Sequence, residues 1–170
     1  LTGAGTFTGN ILNDIAGSIT VEGNDSWGVR IDSALNGNFT NFGTVNILGN
    51  NTYAIQMAGP VTGNVSIAGS VSAVGLNATG VEIDGNITGA LQFQGAVSAT
   101  GYRYPSRPTS AAARAILDAD DLLQSGSAVR IAANVTGGIN LASAPAVIDD
   151  IDNDGLTNGA DPDDDNDGIL

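Results

Sequence analysis

Short alternations of apolar and polar residues recur along the chain at a fixed interval. The clearest set comprises residues 19–21, 45–47, 71–73 and 97–99. Each member reads apolar, polar, apolar, which is typical of a strand that buries one face. The glycines that precede these members share the same spacing of 26 residues: Gly17, Gly43, Gly69 and Gly95. The pattern therefore predicts a strand-containing unit that repeats every 26 residues.

Two further sets of alternations have the same interval. One set comprises residues 29–31, 55–57 and 81–83. The other set comprises residues 39–41, 65–67 and 91–93. Each unit is therefore predicted to contain three short strands separated by turns of glycine and asparagine, because these residues accept the backbone conformations of tight corners.

Three short strands cannot bury their inward side chains within one unit. We expect the units to stack about 4.8 Å apart around a shared core. The sequence thus predicts an all-β fold, a parallel β-helix or β-solenoid that is roughly triangular in section and has coils of about 26 residues. The coils are expected to be right-handed, because crossover connections between parallel strands almost always have this hand.

The repeat is interrupted near residues 103–126 and then resumes. Residues 129–137 repeat the pattern of residues 81–89 at an offset of 48, which is 22 more than one unit. The predicted solenoid therefore covers residues 1–148 with one insertion. A separate acidic segment, residues 149–170, follows it.

The insertion (residues 103–126) has a helix-like composition. Residues 111–124 are rich in alanine and aspartate and are punctuated by isoleucine and leucine. Thr109 or Ser110 is the expected N-cap, and Gly126 is the expected stop. We predict a short helix that lies across one face of the solenoid and covers apolar surface; a binding role is the alternative.

Charge and residue types restrict the chemistry of the chain. Eighteen acidic residues against five arginines give a net charge of −13, which disfavours nucleic acid and anionic membranes as partners. Without cysteine and histidine there is no disulfide, no Ser-His-Asp triad and no zinc site of the usual kind. No apolar run is long enough for membrane insertion. Because the chain has no initiating methionine and no signal peptide, we expect it to be an internal stretch of a longer processed protein.

Aspartates alternate in the acidic segment with a spacing that suits calcium. The pattern D-x-D-x-D-G begins at Asp150 and is followed by a carboxylate at the twelfth position, Asp161. A second D-x-D-x-D-G begins at Asp163. Calcium takes six to eight oxygen ligands, which such a spacing can direct at one centre. The predicted Ca²⁺ ligands are Asp150, Asp152, Asp154, Asp161, Asp163, Asp165 and Asp167. The alternative is a self-repelling acidic linker that binds no cation.

Two resemblances follow from these motifs. Coils rich in glycine and asparagine, interrupted by Arg107-Pro108 and residues 117–123, resemble the passenger region of bacterial autotransporter-type surface proteins. The acidic segment is similar to thrombospondin type 3 calcium repeats and to related bacterial Asp-rich repeats, although it lacks the cysteines of the former. The first resemblance implies a β-helix exported to the bacterial cell surface or the extracellular space, often as an adhesin.

The expected function is that of an extracellular structural or adhesive surface module, a rod stabilised by calcium at its C-terminal end, and not that of an enzyme. Its expected partners are calcium, surface glycans or other cells, and further copies that meet through the solenoid ends as a homo-oligomer or filament. The alternative is a β-helix enzyme that binds or degrades polysaccharide. An ice-binding solenoid is disfavoured, because residues 40, 66, 92 and 140 do not form a regular threonine row.

Glu82 and Asp84 are the candidates for catalysis. They are outward neighbours on one predicted strand, so their carboxylates could lie about 7 Å apart, within the range of glycosidases. Arg30, Gln56, Glu82 and Arg130 occupy one repeat position. An ion pair between Glu82 and Arg130 on adjacent coils is the simpler interpretation.

Two further features have a structural and a functional interpretation. Trp27 and Tyr53 share one repeat position and should stack on adjacent coils, either to hold sugar rings or to pack a corner. Seven N-x-S/T sequons indicate either N-glycosylation or a consequence of asparagine in turns. They begin at Asn24, Asn38, Asn50, Asn64, Asn77, Asn86 and Asn134.

Overall fold

The computed structural model of the chain describes residues 1–101, 108–117 and 126–142. Within these ranges the protein consists of short strands, turns and one short helix, α1 (Ala111–Ala115). The strands are β1 (Thr6–Thr8), β2 (Ile11–Asn13), β3 (Ser18–Glu22), β4 (Trp27–Ile31), β5 (Ala34–Asn36), β6 (Phe39–Asn41), β7 (Thr44–Leu48), β8 (Tyr53–Met57), β9 (Val65–Ile67), β10 (Val71–Val74), β11 (Thr79–Ile83), β12 (Leu91–Phe93), β13 (Val97–Thr100), β14 (Val129–Ile131) and β15 (Ile139–Leu141).

The strands form four sheets in which every observed pairing is parallel. Sheet I contains β1 and β5, and sheet II contains β2, β6, β9, β12 and β15 in that spatial order. Sheet III contains β3, β7, β10 and β13, and sheet IV contains β4, β8, β11 and β14. Neighbouring strands within each sheet come from successive coils of the solenoid. The predicted all-β parallel solenoid is confirmed.

The register of sheet III follows the 26-residue interval of the sequence. Val71 pairs with Val45 on one side and with Val97 on the other, and both Val45 and Val71 are buried. The glycines before these strands superpose, because a Cβ on Gly69 would lie 1.9 Å from the carbonyl oxygen of Gly43. The predicted spacing of the glycines and the predicted strands with one buried face are therefore confirmed in sheet III.

A fourth stack of residues was missing from the prediction of three strands per unit. Sheet I is continued by isolated parallel bridges from Leu35 to Val61, from Val61 to Ile87 and from Ile87 to Val135. Leu35, Val61 and Ile87 are buried in the common core. Beyond β1 and β5 the pairing involves single residues, which is too short to produce an alternating signal.

The first coil is two residues longer than the others at one turn. Phe7 pairs with Leu35 at an offset of 28 residues, whereas Ser18 pairs with Thr44 at an offset of 26. The additional residues lie between β2 and β3, where the Ile15 and Gly17 N–H groups donate to Asp14 oxygens. The first coil therefore begins before the first glycine of the 26-residue spacing, with β1 and β2 preceding Gly17.

The insertion leaves the solenoid at the corner between sheets III and IV. Ser110 caps α1 by accepting a hydrogen bond from the Ala113 N–H, as predicted. The predicted extension of the helix to residue 124 is not observed in the part that the structure describes, because α1 ends at Ala115 and the next residue, Ile116, has a non-helical backbone. Residues 118–125 lie outside the described residues.

The predicted role of the helix as a cover is also wrong for its described part. None of the five residues of α1 is buried, and Ile116 is 62% exposed. The reason is its composition: four alanines have only small methyl side chains, and Arg114 donates to the Thr109 carbonyl, so α1 has little apolar surface to pack against the coils. The boundary predicted near residue 148 lies outside the described residues.

Candidate functional site

One outer row of sheet IV carries most of the candidate chemistry. Arg30, Gln56, Glu82 and Arg130 face outward and pair directly in successive coils. This is the arrangement that the repeat predicted, including the continuation across the insertion. We call these four residues the sheet IV row.

Hydrogen bonds connect the sheet IV row from coil to coil. The Trp27 indole Nε1 donates to Gln56 Oε1 at 2.7 Å, and Gln56 Nε2 donates to Glu82 Oε2 at 2.9 Å. Arg130 then donates to Glu82 Oε1 and, at 3.0 Å, to Asp84 Oδ1. The network therefore spans four coils.

The guanidinium of Arg130 lies between the two candidate catalytic carboxylates. Glu82 is only 7% exposed and shares Arg130 with Asp84. The hydrogen bond and charge of Glu82, followed by those of Asp84, raise the pKa of Arg130 above its ordinary value, so the guanidinium remains charged. The predicted ion pair between Glu82 and Arg130 is confirmed. Arg130 thus bridges the two carboxylates that a glycosidase would place on either side of its substrate bond.

The two aromatic residues stack as predicted, and the Trp27 ring also contacts Arg30. The Trp27 and Tyr53 ring centroids are 6.2 Å apart, with planes 9° from parallel. The Arg30 guanidinium carbon lies 4.3 Å from the Trp27 ring centroid, a cation–π contact. These contacts, together with the indole hydrogen bond, favour corner packing over sugar stacking on Trp27.

Asparagine side chains hold the turns of successive coils together. An amide Oδ1 in one coil accepts the backbone N–H of the next at distances of 2.8–3.1 Å. The asparagines that act in this way are Asn10, Asn24, Asn38, Asn50, Asn64 and Asn86. Five of these six begin sequons, which supports the interpretation that the sequons arise from the repeat.

A second ladder at the corner between sheets III and IV was missed by the sequence analysis. Asp25, Asn51 and Asn77 have positive φ angles of 52°, 53° and 57°. Asn51 Nδ2 donates to Asp25 Oδ1, and Asn77 Nδ2 donates to Asn51 Oδ1. The signal was present as Asp or Asn at an interval of 26 residues, because these residue types tolerate the left-handed conformation.

The predicted calcium ligands, Asp150 to Asp167, lie outside the described residues. Among the residues that the structure describes, no group of three or more acidic side chains is placed to hold a metal ion. Within the same residues, no helix has the length and apolar character needed to cross a membrane.

Comparisons with known proteins place the chain in no family. No protein-family model matches it, and no significant match was found among curated protein sequences or solved structures.

Proposed function

We propose that this chain is a rigid structural or adhesive module of an extracellular bacterial surface protein. The observation that carries the proposal is the use of outward polar side chains as links between coils. Gln56 bonds to Glu82, Asn51 bonds to Asp25, and Thr62 bonds to Asn36, each pair from adjacent coils. Polar groups used in this way stiffen a rod.

The core of the solenoid supports the same proposal. Residues such as Leu35, Ile55, Met57 and Ile83 are fully buried and belong to one continuous cluster across the coils. Burying each such side chain contributes about 1.5–3 kcal/mol, so each coil is stabilised by the coils on either side. A module of this kind suits the transmission of load or the display of a surface away from a cell.

The extracellular location and the calcium dependence rest on the sequence. The chain has no cysteine or histidine, is strongly acidic and contains the D-x-D-x-D-G spacing, features that favour a calcium-rich environment. Extracellular modules of this kind bind Ca²⁺ with dissociation constants of about 10⁻⁴–10⁻³ M. Calcium then stabilises the C-terminal end of the rod. Further copies are proposed partners through the solenoid ends.

Adhesion under flow tests the proposal. Beads coated with the chain are expected to be retained on bacterial or host cell layers. Beads coated with the Val71→Asp variant should wash off, because a carboxylate among the buried valines disrupts the coils.

The alternative, an enzyme that degrades polysaccharide, is tested by incubating the same wild-type protein with a panel of polysaccharides. Release of reducing ends by the wild type but not by Glu82→Gln, without bead retention, would show an enzyme instead.

A further inference from the structure

A shallow groove runs along the outer side of sheet I, parallel to the solenoid axis. Its volume is about 320 Å³, near the lower end for small-ligand sites. Two rows of side chains from three successive coils line it: Pro60, Asn86 and Asn134, and Thr62, Thr88 and Thr136. Between the rows, Val61 and Ile87 direct their side chains into the core.

The groove contains no ionisable side chain, although the whole chain has a net charge of −13. The overall field therefore repels an anionic polymer, and nothing in the groove attracts one. Pro60 offers an exposed apolar ring next to amides and hydroxyls. An uncharged ligand with both hydroxyl groups and C–H surface matches this chemistry.

Several polar groups of the groove have hydrogen-bonding capacity that no described residue uses. The Asn134 amide and the Thr136 hydroxyl make no side-chain hydrogen bond among the described residues, and the Asn86 Nδ2 group makes none either. By contrast, the Thr88 hydroxyl donates to the Val61 carbonyl. The unused donors and acceptors are concentrated at the end of the groove formed by the last described coil.

The spacing of the groove points to an extended polymer. Equivalent side chains recur with each coil, about 4.8 Å apart. An extended (1→4)-linked polysaccharide has a sugar repeat close to this distance, so consecutive sugars can meet consecutive coils. An added peptide strand is disfavoured, because Val61 and Ile87 already pair on both sides.

We propose that this groove binds an extended, neutral polysaccharide lying along the solenoid axis. The proposal rests on the adhesive function proposed above and names its ligand class. The sugar hydroxyls bond to the Asn134 amide and the Thr136 hydroxyl, and a C–H face of one sugar packs on Pro60.

The test is a titration of the full chain with cellohexaose, followed by calorimetry or by NMR. The groove variant Asn134→Ala/Thr136→Val removes polar groups that make no side-chain hydrogen bond to any residue that the structure describes. The matched control, Thr40→Val/Asn140→Ala, makes the same chemical changes on the outer face of sheet II. The groove variant should bind about tenfold more weakly, and the control should bind like the wild type. An oligogalacturonate of equal length should not bind.

Three results would overturn the proposal: no binding of cellohexaose by the wild type, equal weakening in both variants, or equally tight binding of the anionic oligomer. The bead experiment separates this failure from a failure of the adhesive function. If beads coated with the groove variant are retained as well as wild-type beads, the chain is adhesive but the groove is not its binding site.

Discussion

At the scale of single residues, glycine permits the close approach of successive coils. A Cβ on Gly49 would lie 2.2 Å from the Gly23 carbonyl oxygen, and the backbone of Gly49 has a φ of +153°. Both the contact and the conformation exclude a side chain. At Gly69 the contact alone excludes one, because its Cβ would meet the Gly43 carbonyl.

Gly69→Ala is therefore expected to destabilise the solenoid by about 1–3 kcal/mol, because the obstacle is backbone and cannot rotate away. Gly5→Ala is the matched control, since a Cβ on Gly5 would have no neighbour within 4 Å. Denaturant unfolding measures both free energies. Equal stability of Gly69→Ala and Gly5→Ala would contradict the observed coil spacing.

Arg130→Gln is expected to lower the melting temperature, because it leaves Glu82 and Asp84 without their shared cation. Added salt should reduce the effect, since Arg130 is exposed. The pKa of Arg130 is raised in the folded protein, so the stabilisation is present below its ordinary pKa and is lost only as the pH rises through the folded value. Near neutral pH, Arg130 does not titrate, so the difference in melting temperature between the wild type and Arg130→Gln should not change with pH.

Thermal unfolding at low and high salt measures this effect. The control is Arg114→Gln, which alters the only arginine of α1, outside the coils, and should not change the melting temperature. If Arg130→Gln melts at the same temperature as Arg114→Gln, the ion pair does not stabilise the coil after the insertion.

At the scale of elements, the insertion replaces a short corner. Gly101 corresponds to Gly75, and Gly126 corresponds to Ala78, so residues 102–125 stand where the preceding coil has only Leu76 and Asn77. Sheet IV keeps its register across this point, because Val81 pairs with Val129. The corner therefore tolerates additional chain without a change in the coils.

Replacing residues 102–125 with Leu-Asn should preserve the fold. The unfolding free energy is expected to change by no more than about 1 kcal/mol, because α1 buries no residue and a shorter loop costs less entropy to close. Circular dichroism and denaturant unfolding measure the outcome. Loss of cooperative unfolding would show that the insertion is part of the core.

The acidic segment is a separate element whose prediction rests on spacing. The full chain should bind Ca²⁺ with a dissociation constant of about 10⁻⁴–10⁻³ M, and Asp152→Ala or Asp154→Ala should abolish the binding. Glu22→Ala, which removes one charge from an exposed position in the solenoid, is the control. Calorimetry provides the measurement. No binding at millimolar calcium, or equal binding by all variants, leaves the segment as an acidic linker.

Sheets II, III and IV could be predicted because their strands alternate and recur at one interval. Sheet I could not be predicted, since Val61 and Ile87 pair as single residues between turns. The pair between Glu82 and Arg130 follows from the register alone. By contrast, the bond from Trp27 to Gln56 depends on side-chain conformation, which the repeat does not determine.

At the scale of the whole molecule, the coils form one stack that is linked by backbone, side-chain and core contacts. Each coil contacts the coils before and after it, so the first and last coils have fewer partners than those between them. A force applied along the chain should therefore remove coils from an end of the stack, one after another.

Stretching single molecules between Leu1 and Leu170 measures most directly whether the chain is a mechanically stable stack of coils. Each coil of 26 residues should release roughly 86–94 Å of chain, given an extended length of about 3.3–3.6 Å per residue. We expect force peaks separated by this length or by multiples of it. A smooth extension without peaks, as for an unstructured chain, would contradict this expectation.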